Sequence, residues 1–286
     1  MKQDSGLPIG IFDSGIGGLT VVKQIHRVLP HEDLVYLGDT ARVPYGTKSP
    51  ATVIRFACED TQFLVQQNVK AVVVACNTAS AWSLPTLEKR FPIPIFGVII
   101  PGALAALQRT RNRRIGVIGT SATIRSEAYN QAICARDDQA QVFVRNCPLL
   151  VPLVEEGWTD HEVTTAVLRE YLGPLLRHNI DTLVLGCTHY PLLKKTIRRL
   201  AGKKIALVDS AETCARYVKE HLDRLHLLNE QRGRLGKIQP YVTDETDRFI
   251  ELAKRFRSAP MDPAWKVELP ALVVTGEIPP NQPARP

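Results

Sequence analysis

Two stretches of this chain repeat one design. Ala71-Val72-Val73-Val74-Ala75-Cys76-Asn77-Thr78 and Thr182-Leu183-Val184-Leu185-Gly186-Cys187-Thr188-His189 are short apolar runs, each closed by a small residue, a cysteine and small polar side chains. A run of this length, rich in branched aliphatic residues and bounded by polar groups, reads as a buried parallel strand. The cysteine then stands where the strand hands the chain to its C-terminal edge, the side on which open α/β sheets bind ligands. One such cysteine points to a nucleophile. Two in matched settings point to a symmetric pair of acid/base groups.

The rest of the chain supports a parallel-sheet reading. Apolar runs at 9–12, 34–37, 71–75, 95–98, 114–118, 141–144, 182–185 and 205–208 alternate with helical patterns at 18–28, 50–67, 84–90, 100–109, 126–136, 159–178, 190–200 and 211–222, the signature of βα units. A weak internal repeat accompanies them. Ile9-Gly10-Ile11-Phe12-Asp13-Ser14 is echoed by Ile115-Gly116-Val117-Ile118-Gly119-Thr120, 106 positions on, and the two cysteine runs lie 111 apart. Near-equal offsets imply duplicated halves. The expected fold class is therefore α/β, with two pseudo-symmetric parallel-sheet domains facing each other across a cleft. The first comprises residues 1–97 plus 210–257 and the second 98–209. The stretch 92–101 serves as the crossover, and a proline-rich tail, 258–286, is expected to be extended or disordered.

Composition narrows the function classes. At 286 residues, 44% apolar and 23% charged, the chain is an ordinary globular one. No run approaches the roughly 18 apolar residues of a membrane span, and residues 1–8 lack the apolar stretch of a secretory signal, so a cytoplasmic protein without a membrane partner is expected. The six cysteines form no CxxC pair and no zinc-finger spacing with histidine. In a cytosolic chain they are thiols. Cys58, Cys134, Cys147 and Cys214 are assigned to core packing. The net charge of +7 is concentrated at Arg109, Arg111, Arg113 and Arg114 and at Lys194, Lys195, Arg198, Arg199, Lys203 and Lys204. These read as solvated faces. No nucleic-acid-binding motif accompanies them, and no dedicated nucleic-acid function is expected.

The opening turn, Asp13-Ser14-Gly15-Ile16-Gly17-Gly18, invites a phosphate-loop reading, but its spacing matches neither GxGxxG nor GxxxxGK[ST]. A tight turn feeding a helix still offers N–H groups to a carboxylate. Asp13 either caps that helix or adds a carboxylate at the strand end. A thiol, with its ordinary pKa near 8.5, can donate or accept a proton once tuned. Two sulfurs on opposite faces of one tetrahedral carbon can remove a proton from one side and deliver one from the other, as inversion of a stereocentre requires. Cys187 has His189 two residues on, and Asp13 is available to Cys76 from a neighbouring strand. Three other readings stay open: a zinc site from Cys76, Cys187 and His189, a thiol hydrolase with Cys187 as nucleophile and His189 as base, and a carboxylate-binding or nucleic-acid-modulating protein without catalysis.

Five motifs in combination, Gly10-Ile11-Phe12-Asp13-Ser14-Gly15-Ile16-Gly17-Gly18-Leu19, Gly38-Asp39 with Pro44-Tyr45-Gly46, Ala75-Cys76-Asn77-Thr78-Ala79, Gly119-Thr120 with Ala122-Thr123, and Leu185-Gly186-Cys187-Thr188-His189-Tyr190-Pro191-Leu192, make the chain similar to the bacterial glutamate racemases. The similarity runs over about 9–215 and more weakly to about 257. It implies cofactor-independent interconversion of L- and D-glutamate for peptidoglycan synthesis, with neither pyridoxal phosphate nor metal, and with aspartate or another amino acid as the alternative substrate. It implies that Cys76 and Cys187 are the two bases, that Asp13 assists the first, and that His189 and Glu155 assist the second. Substrate-binding roles are implied for Asp13, Ser14, Pro44, Tyr45, Gly46, Asn77, Thr78, Thr120, Thr123, Thr188 and His189. The resemblance further implies a homodimer, which light scattering at micromolar concentration checks.

Overall fold

The computed structural model describes residues 4–229, 233–256 and 260–269. Ten strands, β1 (Ile9–Asp13), β2 (Leu34–Gly38), β3 (Ala71–Val74), β4 (Ile95–Gly97), β5 (Arg114–Gly119), β6 (Gln141–Asn146), β7 (Thr182–Gly186), β8 (Ala206–Asp209), β9 (Ile238–Val242) and β10 (Trp265–Lys266), form two parallel sheets. The first has the order β10-β9-β2-β1-β3-β4 and the second β6-β5-β7-β8. The expected α/β class is borne out. The inner order of the first sheet, β2-β1-β3-β4, is reproduced by the second, so the weak repeat in the sequence is a repeat of topology.

The central strands β1, β3 and β7 are buried along their full length, as their unbroken apolar sequences require. In each sheet the chain leaves the first strand to one side and returns to the other. Crevices therefore open at the C-terminal ends between β1 and β3, and between β5 and β7. Register sets what lines them. Phe12 lies opposite Val74, and the Ala75 N–H donates to the Phe12 carbonyl at 2.9 Å, which brings Asp13 and Cys76 out side by side. Gly119 lies opposite Gly186, so Thr120 and Cys187 emerge together. One continuous apolar core runs through both units, from Ile9 and Leu19 to Leu183, Tyr190 and Val218. Helix Ser210–Arg224 packs on both Leu19–Val28 and Ile99–Arg109 and ties the halves together.

Several elements depart from expectation. The helix expected at 84–90 spans Asn77–Arg90 with Pro85 inside it. Its start is fixed by Cys76, whose Sγ accepts the Ala79 N–H at 3.5 Å, so the proline falls in the body of a helix already begun. Strand β9 carries Pro240, which weakens a strand pattern; β10 pairs only with Tyr241 and Val242 at its end. The expected crossover 92–101 contains edge strand β4 and the start of helix Ile99–Arg109. The tail expectation for 270–286 lies outside the described residues. Residues 260–269 run along the first sheet, where β10 forms and Val267 and Leu269 pack against the core. Cys58, Cys147 and Cys214 are buried, whereas Cys134 is only half-buried. Among the described residues no helix is long and apolar enough to cross a membrane.

Candidate active site

The turn after β1 is built around Asp13. This carboxylate is fully buried; one oxygen accepts the Gly15 N–H at 3.1 Å, and the other accepts the Thr188 hydroxyl at 3.3 Å from the opposite unit. Burial raises its pKa, opposed by the charge of His189 and by the N–H groups of Gly18 and Gly15. The Tyr36 hydroxyl donates to the Gly15 carbonyl at 2.7 Å and fixes the far side of the turn.

Cys76 caps helix Asn77–Arg90. Its thiol donates to the Ser14 hydroxyl at 3.5 Å. Burial, reinforced by the nearby Asp13 charge, pushes it up to about 12 despite its hydrogen bonds with Ser14 and Ala79. The proton therefore rests on this sulfur at neutral pH. Next along the helix, the Asn77 carbonyl accepts the Tyr129 hydroxyl at 2.7 Å while its amide donates to Ser210 at 3.4 Å. The Thr78, Thr120 and Thr123 hydroxyls form a triangle of 2.8, 3.0 and 3.0 Å sides that joins the two units. Each hydroxyl both donates and accepts, so an incoming carboxylate can exchange these mutual bonds for its own.

The second sulfur has different company. Cys187 Sγ lies 3.8 Å from His189 Nδ1, and His189 Nε2 lies 2.9 Å from Glu155 Oε1. Burial works against the charged imidazole, but the hydrogen bonds to Cys187 and Glu155 prevail and push His189 up to about 10. Glu155 is correspondingly lowered: burial opposes this, and the His189 hydrogen bond and charge outweigh it. The Phe256 ring meets the imidazole edge-on at 5.4 Å, and the Arg255 guanidinium donates to the Glu155 main-chain carbonyl. An imidazolium beside Cys187 and a protonated thiol at Cys76 make the two ends electrostatically unequal.

This inequality has a pH consequence. Because the folded value of His189 lies above its ordinary 6.5, the stability contributed by its ion pair is complete below about 6.5 and is lost as pH rises through about 10. Replacing Glu155→Gln removes the counter-charge. The alkaline limb of the kcat/KM profile is expected to move down by about one to three pH units, measured on the purified variant between pH 6 and 11. An unmoved limb would separate His189 from the profile.

Gly17 lies against this group. A methyl there would stand 2.5 Å from His189 Nδ1 and closer still to the Thr188 hydroxyl. Thr20, one turn on, donates to the Gly17 and Thr188 carbonyls, each at 2.9 Å, so the contact cannot open cheaply. Gly17→Ala is expected to lower kcat about 100-fold, the usual consequence of an ångström-scale displacement of reacting groups, and to lower the melting temperature as well, because the buried neighbours must shift to admit the methyl. Activity and thermal melts on the same sample check both parts.

The loop Pro44-Tyr45-Gly46 reaches the cleft through its backbone. The Tyr45 hydroxyl is occupied, donating to Asp39 and, at 2.9 Å, to Asp60. Arg42 joins this network through Asp39 at 2.6 Å, Asp60 at 3.0 Å and Glu59. Of this loop, the first N–H groups of the turn Tyr45–Thr47 have no partner within the turn. Gly46 packs directly on Thr120 across the cleft, where a methyl would come within 2.8 Å.

The structure thus brings Asp13, Ser14, Cys76, Asn77, Thr78, Thr120, Thr123, Glu155, Cys187, Thr188 and His189 together where the two units meet, with Gly46 packed on Thr120. Both cysteines are only 6% exposed. Sequence reading missed Thr20, Tyr129 and Ser210, whose roles arise from contacts between units. It also missed Asp60, whose one signal was a carboxylate inside the apolar helix Pro50–Gln66. Among the described residues no group of three His, Cys, Asp or Glu side chains is arranged to hold a metal ion.

Comparison with known proteins agrees with this geometry. The family model for Asp/Glu/hydantoin racemases matches residues 9–218. A glutamate racemase of Geobacter metallireducens is 51% identical over 263 residues, 92% of this chain and 97% of that protein. The crystal structure of glutamate racemase from Thermus thermophilus in complex with β-chloro-D-alanine matches with a TM-score of 0.85 at 43% identity, covering 94% of this chain and 100% of that one. The Francisella tularensis glutamate racemase, solved with D-glutamate, gives a TM-score of 0.85 at 38% identity over 92% of this chain and 98% of that one. With the family model matching well over half of the chain, and a relative half-identical over nearly its whole length, this chain belongs to the Asp/Glu/hydantoin racemase family.

Proposed function

We propose that the protein interconverts L- and D-glutamate by moving the α-proton between Cys76 and Cys187, without a cofactor, and that in a cytoplasmic setting the D-glutamate serves peptidoglycan synthesis. The observation that carries this reading is the pair of buried cysteines at equivalent strand ends of two duplicated sheets. Inversion requires that one sulfur carry a proton while the other accepts one. Burial and the Asp13 charge favour the proton on Cys76, while the imidazolium of His189 offers a counter-charge to the Cys187 sulfur. When the deprotonated sulfur takes the α-hydrogen, the opposite thiol delivers its own to the other face of the planar carbanion. The two sulfurs exchange protonation states, and the site is then set for the reverse enantiomer.

Without an electron sink, the carbanion depends on preorganised charge in a dry cavity. Fully buried Asp13 is a suitable partner for the α-ammonium group. Thr78, Thr120, Thr123 and Asn77, with the N–H groups of the 44–46 loop, supply donors for two carboxylates. The names of the half-identical relatives support glutamate over aspartate, which is one methylene shorter. Circular dichroism with each L-amino acid tests this: the signal is expected to decay to zero with L-glutamate at a rate at least 100-fold above that with L-aspartate. Comparable rates, or a faster one with L-aspartate, would overturn the assignment.

One observation favours a second reading. Cys187, His189 and Glu155 stand in the order of nucleophile, base and orienting acid, as in thiol hydrolases. Such an enzyme has no use for Cys76, and its activity would survive Cys76→Ser.

A further inference from the structure

The two basic clusters of the sequence converge on a face that the racemase reaction does not use. Arg109 precedes β5, Asp181 precedes β7, and Lys203, Lys204 and Ile205 precede β8, so they meet at the N-terminal edge of the second sheet, the end remote from the cysteines. There Arg109, Arg111, Asp181, Arg198, Lys203 and Lys204 line a cleft of about 770 Å³. Its volume falls within the range of small-ligand pockets, about 300–1,000 Å³.

Charge pairing separates this cleft from the surface around it. Most cluster residues that point elsewhere are neutralised; Arg114, held by the His178 carbonyl and Gln141, is the exception. Arg113 pairs with Asp137 at 3.0 Å, Lys195 and Arg199 with Asp160 at 2.7 and 2.8 Å, and Lys194 with Asp209 at 2.6 Å. Among the ion pairs of the described residues, none involves Arg109, Arg111, Arg198, Lys203 or Lys204. Two of these cations are nonetheless held in place. Arg109 donates to the Leu207 carbonyl at 2.5 Å, and Arg198 to the carbonyls of Gly202, at 3.1 Å, and Ile205. Carbonyls orient a guanidinium without cancelling its charge, and most of its five N–H donors remain available. Asp181, the one carboxylate in the lining, is turned to the chain. It accepts from Thr110 and the Arg111 N–H at 2.6 Å, the Asn112 N–H at 2.9 Å and Thr182 at 3.0 Å, and so stiffens the wall that carries Arg111.

We propose that this cleft is a binding site for a small oligophosphate, a molecule with two or three linked phosphoryl groups. Five cations over one carboxylate leave an excess that one phosphate does not satisfy. Guanidinium forks match phosphoryl oxygens two at a time. A nucleic-acid backbone, by contrast, needs a long stripe of unpaired cations, and here Arg113, Lys194, Lys195 and Arg199 beside the cleft are paired.

Calorimetric titration of the full chain with inorganic triphosphate, at about 50 mM salt, tests the site. Saturable 1:1 binding is expected. The triple variant Arg111→Gln, Lys203→Gln, Lys204→Gln changes three exposed side chains and is expected to weaken binding at least tenfold, with racemisation rate and melting temperature unchanged. The control Lys195→Gln, Arg199→Gln removes like charge outside the cleft and is expected to leave binding within twofold. The proposal is overturned by absence of saturable binding, by equal weakening in the two variants, which marks diffuse attraction only, or by tighter binding of a short single-stranded oligonucleotide than of triphosphate.

Discussion

Cys76→Ser and Cys187→Ser are each expected to lower kcat for racemisation by about a thousandfold or more, in both directions, with the fold intact. General acid–base groups contribute about 10²–10⁴ each, and a serine hydroxyl is a far poorer base at neutral pH than a tuned sulfur. Substituting oxygen for sulfur in these buried positions leaves the neighbours in place, so thermal melts should stay within a few degrees. The more discriminating part concerns exchange. Each single variant keeps one working sulfur, on one face of the α-carbon. It should still swap the α-hydrogen of one enantiomer with solvent while inverting neither, and the two variants should favour opposite enantiomers. A Cys76 variant that retains full turnover on an amide or thioester substrate would instead support the hydrolase reading.

Arg42→Ala is expected to destabilise the protein by about 3 kcal/mol, or roughly 5–10 °C in melting temperature. Arg42 is bonded to both of the fully buried carboxyl groups of Asp39 and Asp60. Burial, with the Asp39 charge added, already holds Asp60 well above the usual carboxylate range. Removing the guanidinium leaves two carboxylates facing one another around the Tyr45 hydroxyl. A carboxylate whose folded pKa is raised binds its proton more tightly folded than unfolded. The stability it gives is present at low pH and lost as pH rises through the folded value, so the deficit should shrink on acidification. Adding Asp60→Asn to Arg42→Ala should restore part of the loss. Because Tyr45 anchors the 44–46 loop beside Thr120, KM should rise more than kcat falls. A melt unchanged between pH 5 and 8 would show that the network carries no such charge.

Strands β1 to β5, β7 and β8 were legible because each is an apolar run buried by helices on the sheet faces, and a parallel sheet leaves that imprint on the sequence; β6, half-exposed at the sheet edge, showed only through Val142, Phe143 and Val144. Strands β9 and β10 were not legible. Pro240 interrupts the first, and the second is two residues long and exposed, held by its neighbour rather than by its own pattern. Helix Thr246–Arg255 buries only Phe249 and Ala253, too thin a stripe to mark it. At the site, Cys76, Cys187, Asp13 and His189 declared themselves by standing at strand ends. Glu155 did not: it sits in the short helix Leu150–Glu155, and only resemblance to known racemases singled it out. Thr20, Tyr129 and Gly17 act between the units, and no local sequence pattern records who meets whom across a cleft.

The two-base claim is tested most directly by following racemisation of L-glutamate in deuterated water with the wild-type protein. At early times, D-glutamate is expected to carry deuterium at Cα from the first turnover, because the delivering thiol has equilibrated with solvent, while unreacted L-glutamate keeps its protium. Substantial protium in the D-glutamate, or deuterium entering the L-glutamate pool as fast as product forms, would mean that a single group removes and returns the proton and would contradict the assignment of Cys76 and Cys187 as opposing bases.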